Sequence, residues 1–231
     1  MIPVAFRTPA DGIAREEALL AAGRPALLLW RAETAALVVP ASWTRREGFP
    51  AARERCAQAG WPLIARSSGG GGVPQGPGTL NLALVVPVPR GFTIEAGFRL
   101  ICGAVGEALT RFEVATGVGP VAGSFCDGAW NVTAHGRKLA GTAQRWRARG
   151  AGRVALVHAA LVLDPLPASF WTALGHAHRA AGVAGPIRPE AHVALSDVLP
   201  GGMRTGSVFG ALARAAEDRL ATLPPVRRQA A

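Results

Sequence analysis

The sequence predicts one α+β domain: a mixed, mostly antiparallel central sheet flanked by helices. Three observations carry this prediction. Stretches of strand length alternate with stretches of helical period, in the order helix, hairpin, helix, strand, glycine loop, strand, long helix, hairpin, strand, helices. The 231 residues show no internal repeat, and one domain can hold that length. A hydrophobic fraction of 49% supplies a substantial core. The body of the domain spans about residues 10–200, followed by a C-terminal helix over about 206–223 and a frayed tail carrying Arg227 and Arg228.

Taken in order, Asp11 can cap a helix with Glu16 and Glu17 in its first turns, where the helix dipole favours acids, and Gly23 can end it. Ala26–Trp30 and Ala35–Val39 read as a hairpin across Arg31–Thr34. Pro50 suits the first turn of a helix running to Gly60, with Cys56 as packing. Pro62–Ala65 and Leu80–Val86 are strand-like and bracket a glycine-rich loop. Thr93 opens the clearest helix, reaching about Val114. Its Phe98, Ile101, Val105, Leu109 and Phe112 recur at three-to-four spacing, and Cys102 lies beside that core face. After a small-residue loop at Val114–Ala122, Trp130–Ala134 and Lys138–Gln144 form a hairpin around His135–Gly136, and Val154–Leu163 is a long strand. A helix around Ala168–Gly182 follows. Its His176 and His178, at i and i+2, do not share a face and so make no metal pair. Ser196 and Asp197 suit a cap or turn, and Val208, Leu212, Ala216 and Leu220 line one face of the final helix.

Composition excludes several classes. The formal net charge of +10 favours an acidic partner. The arginines are dispersed, and only Arg145, Arg147, Arg149 and Arg153 approach a stripe, with Trp146 as its single aromatic, so nucleic acid is not the expected partner. Cys56, Cys102 and Cys126 form neither a disulfide framework nor a zinc motif, and no metal site is expected. Met1–Glu17 has no apolar signal-peptide core. The longest apolar run, Leu80–Val88, is too short to span a membrane and is broken by Asn81 and Pro87. A cytoplasmic protein without membrane association is expected.

Two stretches carry chemistry. In the first, Arg66, Ser67 and Ser68 lead into Gly69, Gly70, Gly71, Gly72 and Val73, and the run continues to Asn81. Consecutive glycines expose backbone N–H groups that bind anions, and Arg66 adds a planar donor fork. The segment lacks the Gly-Lys-Ser/Thr of a P-loop and the following helix of a dinucleotide fingerprint. The second stretch holds Lys138, the one lysine among 25 basic residues, set between Gly136 and Gly141. An ammonium is a compact charge whose pKa burial can lower, unlike guanidinium. A chain that otherwise uses arginine has a chemical reason to keep an amine there.

Together these stretches and the strand around His158 resemble the superfamily of lipoate–protein ligases, octanoyltransferases and biotin–protein ligases. Arg66–Val73 is similar to its Arg-Ser-Ser-Gly-Gly-Gly-x-Val loop. Gly136–Gln144, including Gly141 and Thr142, is similar to its Gly-Arg-Lys-hydrophobic-small-Gly-Ser/Thr-Ala segment. Val157–His158–Ala159, leading to Leu161–Asp164, is similar to the strand that follows. Leu28–Arg31 with Ala35–Leu37 also fits. The likeness covers about residues 10–200 in the right order, and it implies a biotin/lipoate ligase-like fold.

The resemblance implies a lipoate–protein ligase-like enzyme. It would join lipoic or octanoic acid to a lysine of an acidic lipoyl acceptor domain through an acyl-adenylate, with ATP and Mg2+ as cofactors. Lys138 and the Gly69–Gly72 amides would then face the carbonyl and phosphate oxygens, and Asn131 the nucleotide. Trp30, Val73, Leu80 and Leu84 would line an acyl tunnel. A second branch needs no ATP or other cofactor: an octanoyl group from octanoyl carrier protein is held on a cysteine beside a lysine. Cys126 in Gly123–Gly128 resembles that cysteine, and a nearby Lys138 would favour its thiolate, whereas Asp127 would oppose it. A non-catalytic relative that binds acyl chains is the third reading. The sequence departs from the family at Pro74–Gln75–Gly76–Pro77, where many relatives have a histidine and an acid.

Overall fold

The computed structural model describes residues 2–150 and 152–224, so the tail with Arg227 and Arg228 lies outside the described residues. Among the described residues there are ten strands: β1 Val4–Phe6, β2 Ala26–Ala32, β3 Ala36–Pro40, β4 Leu63–Arg66, β5 Val73–Gln75, β6 Thr79–Pro87, β7 Thr116–Gly119, β8 Asn131–Ala134, β9 Arg137–Arg149 and β10 Gly152–Val162. The helices are α1 Pro9–Ala22, α2 Phe49–Gln58, α3 Ile94–Thr110, α4 Ala168–Ala181, the single turn α5 Leu195–Val198, and α6 Phe209–Ala221. The expected α+β class holds, with a seven-stranded sheet in the order β1-β2-β6-β10-β9-β8-β7. Every pairing in it is antiparallel except β1 with β2.

The predicted hairpin between Ala26–Trp30 and Ala35–Val39 does not form. β2 joins the large sheet, while β3 enters a second, three-stranded sheet in the order β4-β3-β5. The connection is held instead by Glu33 and Thr34, whose N–H groups donate to the carbonyls of Phe6 and Arg7 beside β1. The glycine stretch is also not loop throughout, since Val73–Gln75 pairs antiparallel with Ala36–Val38. Likewise, the small-residue segment before Ala122 contains the edge strand β7.

The helix expectations fare better. Thr8 rather than Asp11 caps α1, and Asp11 completes the capping box by accepting the Thr8 N–H. Thr93 caps α3 by accepting the Ala96 N–H at 3.0 Å. The apolar face of α3 packs with α6 against one side of the large sheet, where Leu80, Leu82 and Leu84 of β6 are buried. A second core holds Cys56, Trp43, Phe125 and Phe170 between the small sheet, α2 and α4. A third packs α1 on Leu28, Trp30, Ala83 and Leu156. The other side of the large sheet, between α1 and the small sheet, is left to frame a pocket.

Candidate active site

The pleat of β6, β9 and β10 sets the pocket floor. Side chains alternate across a strand, so Leu80, Leu82 and Leu84 enter the α3 core while Asn81 faces the other way. Asn81, Ala160 and Gly141 sit opposite one another across three strands, and Ala83, His158 and Ala143 form the next row. Small residues in these rows leave room above the sheet. The pocket encloses about 820 Å³ of empty space, its open mouth included. Its walls come from Ile13, Glu16 and Glu17 on α1 and from Arg66–Ser68 and Val73–Gln75 of the glycine segment. Of the four side chains expected to line an acyl tunnel, Trp30 and Val73 do so, whereas Leu80 and Leu84 are buried on the opposite face.

At one end of the pocket stands Cys126, half-buried, with φ of 48°. Cysteine rarely adopts this left-handed conformation, so surrounding contacts must hold it there. Several contacts are in place. Lys138 is fully buried, and its Nζ donates to the carbonyls of Phe125 at 2.6 Å and Cys126 at 2.9 Å. His192 Nε2 accepts the Phe125 N–H at 3.0 Å, and its ring stacks on Phe125. Asp127 Oδ1 accepts the Val121 and Gly128 N–H groups and the Asn131 amide, each at 2.8 Å. Asn131 is thereby committed to bracing the loop and is not among the pocket's lining residues.

The glycine segment closes on the sulfur from the other side. Gly71 N–H donates to Cys126 Sγ at 2.9 Å. A Cβ on Gly70 would lie 2.6 Å from Sγ, and its φ of +99° is a conformation that suits glycine. Arg66 Nη2 donates to the carbonyls of Gly69 and Gly71, both at 2.8 Å, and Nη1 to Val38 O at 3.0 Å. The arginine therefore shapes the loop whose amide points at the thiol. Gly72 packs toward Leu37 and Leu174, away from the sulfur.

Electrostatics follow from this burial. Desolvation lowers the Lys138 pKa to about 8; Cys126 and Asp127 oppose that fall and Arg66 adds to it. Desolvation also lowers the pKa of Arg66, partly offset by the neighbouring Cys126. Burial pushes His192 down to about 4, so it is neutral, and its Nδ1 faces the carbonyls of Arg188 and Pro189. Burial raises the Asp127 pKa, but the backbone N–H donors, Asn131 and Lys138 bring it below the ordinary carboxylate value.

Further along the pocket, a polar line was only half legible in the sequence. His158 Nδ1 meets Glu16 Oε2 at 2.8 Å, while Glu16 Oε1 accepts the Trp30 indole N–H at 2.8 Å. By sequence Glu16 is simply a helix-terminus acid. Gln75, in the segment that departs from the family pattern, exchanges hydrogen bonds of 2.7 and 2.6 Å with Asn81. Ser67 bonds Glu17, which also pairs with Arg145 at 2.7 Å. Thr142 Oγ1 donates to Trp130 O at 2.7 Å, and Ser68 Oγ is buried without a partner among the described residues.

A model of the lipoyl protein ligase A/B catalytic domain matches residues 8–217. The chain belongs to that family. Its curated relatives include an uncharacterised protein of Cupriavidus necator, 42% identical over 64% of this chain and 64% of that one. An octanoyl-[GcvH]:protein N-octanoyltransferase of Kyrpidia tusciae is 36% identical over 83% of this chain and 69% of its own length. The chain thus spans about two thirds of these relatives. Among solved structures, a lipoate–protein ligase A bound with ATP superposes with a TM-score of 0.73 at 19% identity, covering 95% of this chain and 84% of the other. A bipartite lipoate–protein ligase from Thermoplasma acidophilum gives 0.69 at 18% identity, with 98% and 84% covered. These likenesses establish the lipoyl-ligase fold.

The family's glycine loop, lysine hairpin and histidine strand meet around this one pocket. Cys126, expected from resemblance to the transferase branch, stands at its end. Among the described residues no group of three or more His, Cys, Asp or Glu could hold a metal ion, and no helix is long and apolar enough to cross a membrane.

Proposed function

We propose that this member of the family is an acyltransferase. It carries an octanoyl or lipoyl group as a thioester on Cys126 and passes it between lysines of carrier domains. The observation that carries this reading is the half-buried Cys126 thiol, clamped in a strained conformation at the end of the pocket with the Gly71 N–H directed at its sulfur. A buried free cysteine that merely packs needs neither strain nor an amide donor. An N–H aimed at the sulfur fixes where that sulfur sits, as a nucleophile that must meet an acyl carbonyl requires.

The steps balance without ATP. The thiolate attacks the carbonyl carbon of an acyl-lysine amide, the carbon–nitrogen bond breaks, and the departing amine takes up the proton the thiol released. An acceptor lysine, as a neutral amine, then attacks the thioester. A carbon–nitrogen bond forms, the carbon–sulfur bond breaks, and the proton lost from nitrogen returns to the protein. Lys138 holds the Phe125–Cys126 backbone so that the sulfur, not the rest of the loop, faces the acyl carbonyl. The name carried by the Kyrpidia tusciae relative supports a GcvH-type carrier as donor.

ATP with Mg2+, required by the ligase reading, fits these residues poorly. Two of the three Lys138 protons and both terminal nitrogens of Arg66 are already committed to backbone carbonyls. An acidic carrier suits the +10 chain, because Arg147 and Arg149 extend along β9 from Arg145 at the pocket wall. The test is transfer from an octanoylated carrier to an apo-lipoyl domain, followed by acceptor mass with and without ATP. Transfer at equal rate in both supports the reading. Transfer that appears only with ATP and releases AMP refutes it.

A further inference from the structure

Cys126 is the only residue among those described that lines both the acyl pocket and a second cavity, which lies across the glycine loop. The second cavity holds about 1180 Å³ of empty space, its open side included. Gly70, Gly71 and Ala122–Ser124 border it at the sulfur end, and Trp43, His178 and the Val183–Arg188 segment form its walls. Nothing in the acyl chemistry described so far uses it.

We infer that this cavity receives the lysyl arm of the carrier domain, an inference that rests on the thioester reading. An amide is planar and its two chain substituents are trans. An acyl-lysine therefore runs in opposite directions from its reacting carbonyl, the acyl tail one way and the four-methylene stem the other. A thiol that attacks such a carbonyl needs two channels meeting at the sulfur, and the two cavities meet at Cys126. Trp43, Val183 and Ile187 offer apolar wall to a methylene stem.

The polar atoms there point the same way. His178 and Ser124 are 7% and 4% exposed, and both His178 ring nitrogens and Ser124 Oγ are buried without a hydrogen-bond partner among the described residues. Buried donors and acceptors are ordinarily satisfied, so this wall is incomplete until a polar guest arrives. Burial lowers the His178 pKa, which keeps the ring neutral with one N–H and one lone pair. Such a ring can meet an amide before transfer and an amine after it.

The test separates the channels. Ala184→Trp fills the exposed rim of the second cavity, and His178→Phe removes the ring nitrogens. An octyl bromomethyl ketone alkylates Cys126 with bromide as the leaving group and so uses the acyl pocket alone. We expect both variants to be alkylated within about twofold of the wild-type rate while transfer to an apo-lipoyl domain falls about tenfold or more, chiefly through KM for the domain. Unchanged transfer in Ala184→Trp overturns the inference, as does a parallel loss of alkylation and transfer. Competition between ATP and the carrier in the wild type overturns it in favour of a nucleotide occupant. Wild-type protein that the ketone leaves unmodified refutes the thioester reading itself.

Discussion

Replacing Lys138 with methionine tests the clamp, because the expected effects on stability and activity diverge. The substitution keeps an unbranched side chain of similar length but leaves the Phe125 and Cys126 carbonyls without their donor. Each orphaned acceptor costs about 1–3 kcal/mol. Against that, folding no longer buries an ammonium. Lowering the Lys138 pKa from 10.5 to about 8 corresponds to about 3 kcal/mol. Below pH 8 the two effects nearly offset, so Lys138→Met should unfold within about 2 kcal/mol of wild type in urea. Acyl transfer should nonetheless fall about a hundredfold or more, because Cys126 loses its alignment.

The same shift has a pH signature. Between about 8 and 10.5 the unfolded chain binds the Lys138 proton and the folded one does not, so wild-type stability rises with pH across that window. Burial also raises Cys56 and Cys102 to about 11, which lowers stability above pH 9 in both proteins and cancels in the comparison. Wild type should therefore gain about 3 kcal/mol on Lys138→Met between pH 8 and pH 10.5. The neutral amine keeps two N–H groups, enough for both carbonyls. A flat difference across that range, or full activity in Lys138→Met, would rule out a clamp held by a buried Lys138 ammonium.

Two further outcomes follow from the same loop. His192 has its pKa lowered from 6.5 to about 4, so its unfolded form takes a proton that its folded form refuses; this adds about 3 kcal/mol to the loss of stability as pH falls through that window. His192→Gln removes that share and keeps what His178 adds, so the stability difference between wild type and variant should shift by about 3 kcal/mol against wild type between urea unfolding at pH 7 and at pH 4. Gly70→Ala places a methyl group on the Cys126 sulfur and forces alanine to φ of +99°, so thiol alkylation should slow about tenfold or more in a protein that still shows the native circular dichroism spectrum.

Much of the fold was legible because its signals are local. The apolar stripe and Thr93 cap of α3, and the two-residue turn between β8 and β9, need only neighbours in sequence. The small sheet was not, because β3 pairs in parallel with β4 across an intervening helix, and no local pattern marks such a crossover. Arg31–Thr34 had the length of a hairpin turn, yet the two strands part into different sheets. For the site, Arg66, the glycines and Lys138 stand out by residue type and spacing, and His158 and Cys126 only through resemblance to the family. The clamp by His192 and the pairing of Glu16 with His158 span 67 and 142 residues, so only the folded chain brings them together. Lys138 is conspicuous in the sequence for a chemical reason, and in the fold it holds two backbone carbonyls.

If the acyl group rides on Cys126, the protein's intact mass after incubation with an octanoylated carrier shows it. Wild-type protein should gain one octanoyl group without ATP, hydroxylamine should remove it, and Cys126→Ser should gain none. An unmodified wild type that still transfers the acyl group, or an adduct of equal yield in Cys126→Ser, would contradict a thioester on Cys126.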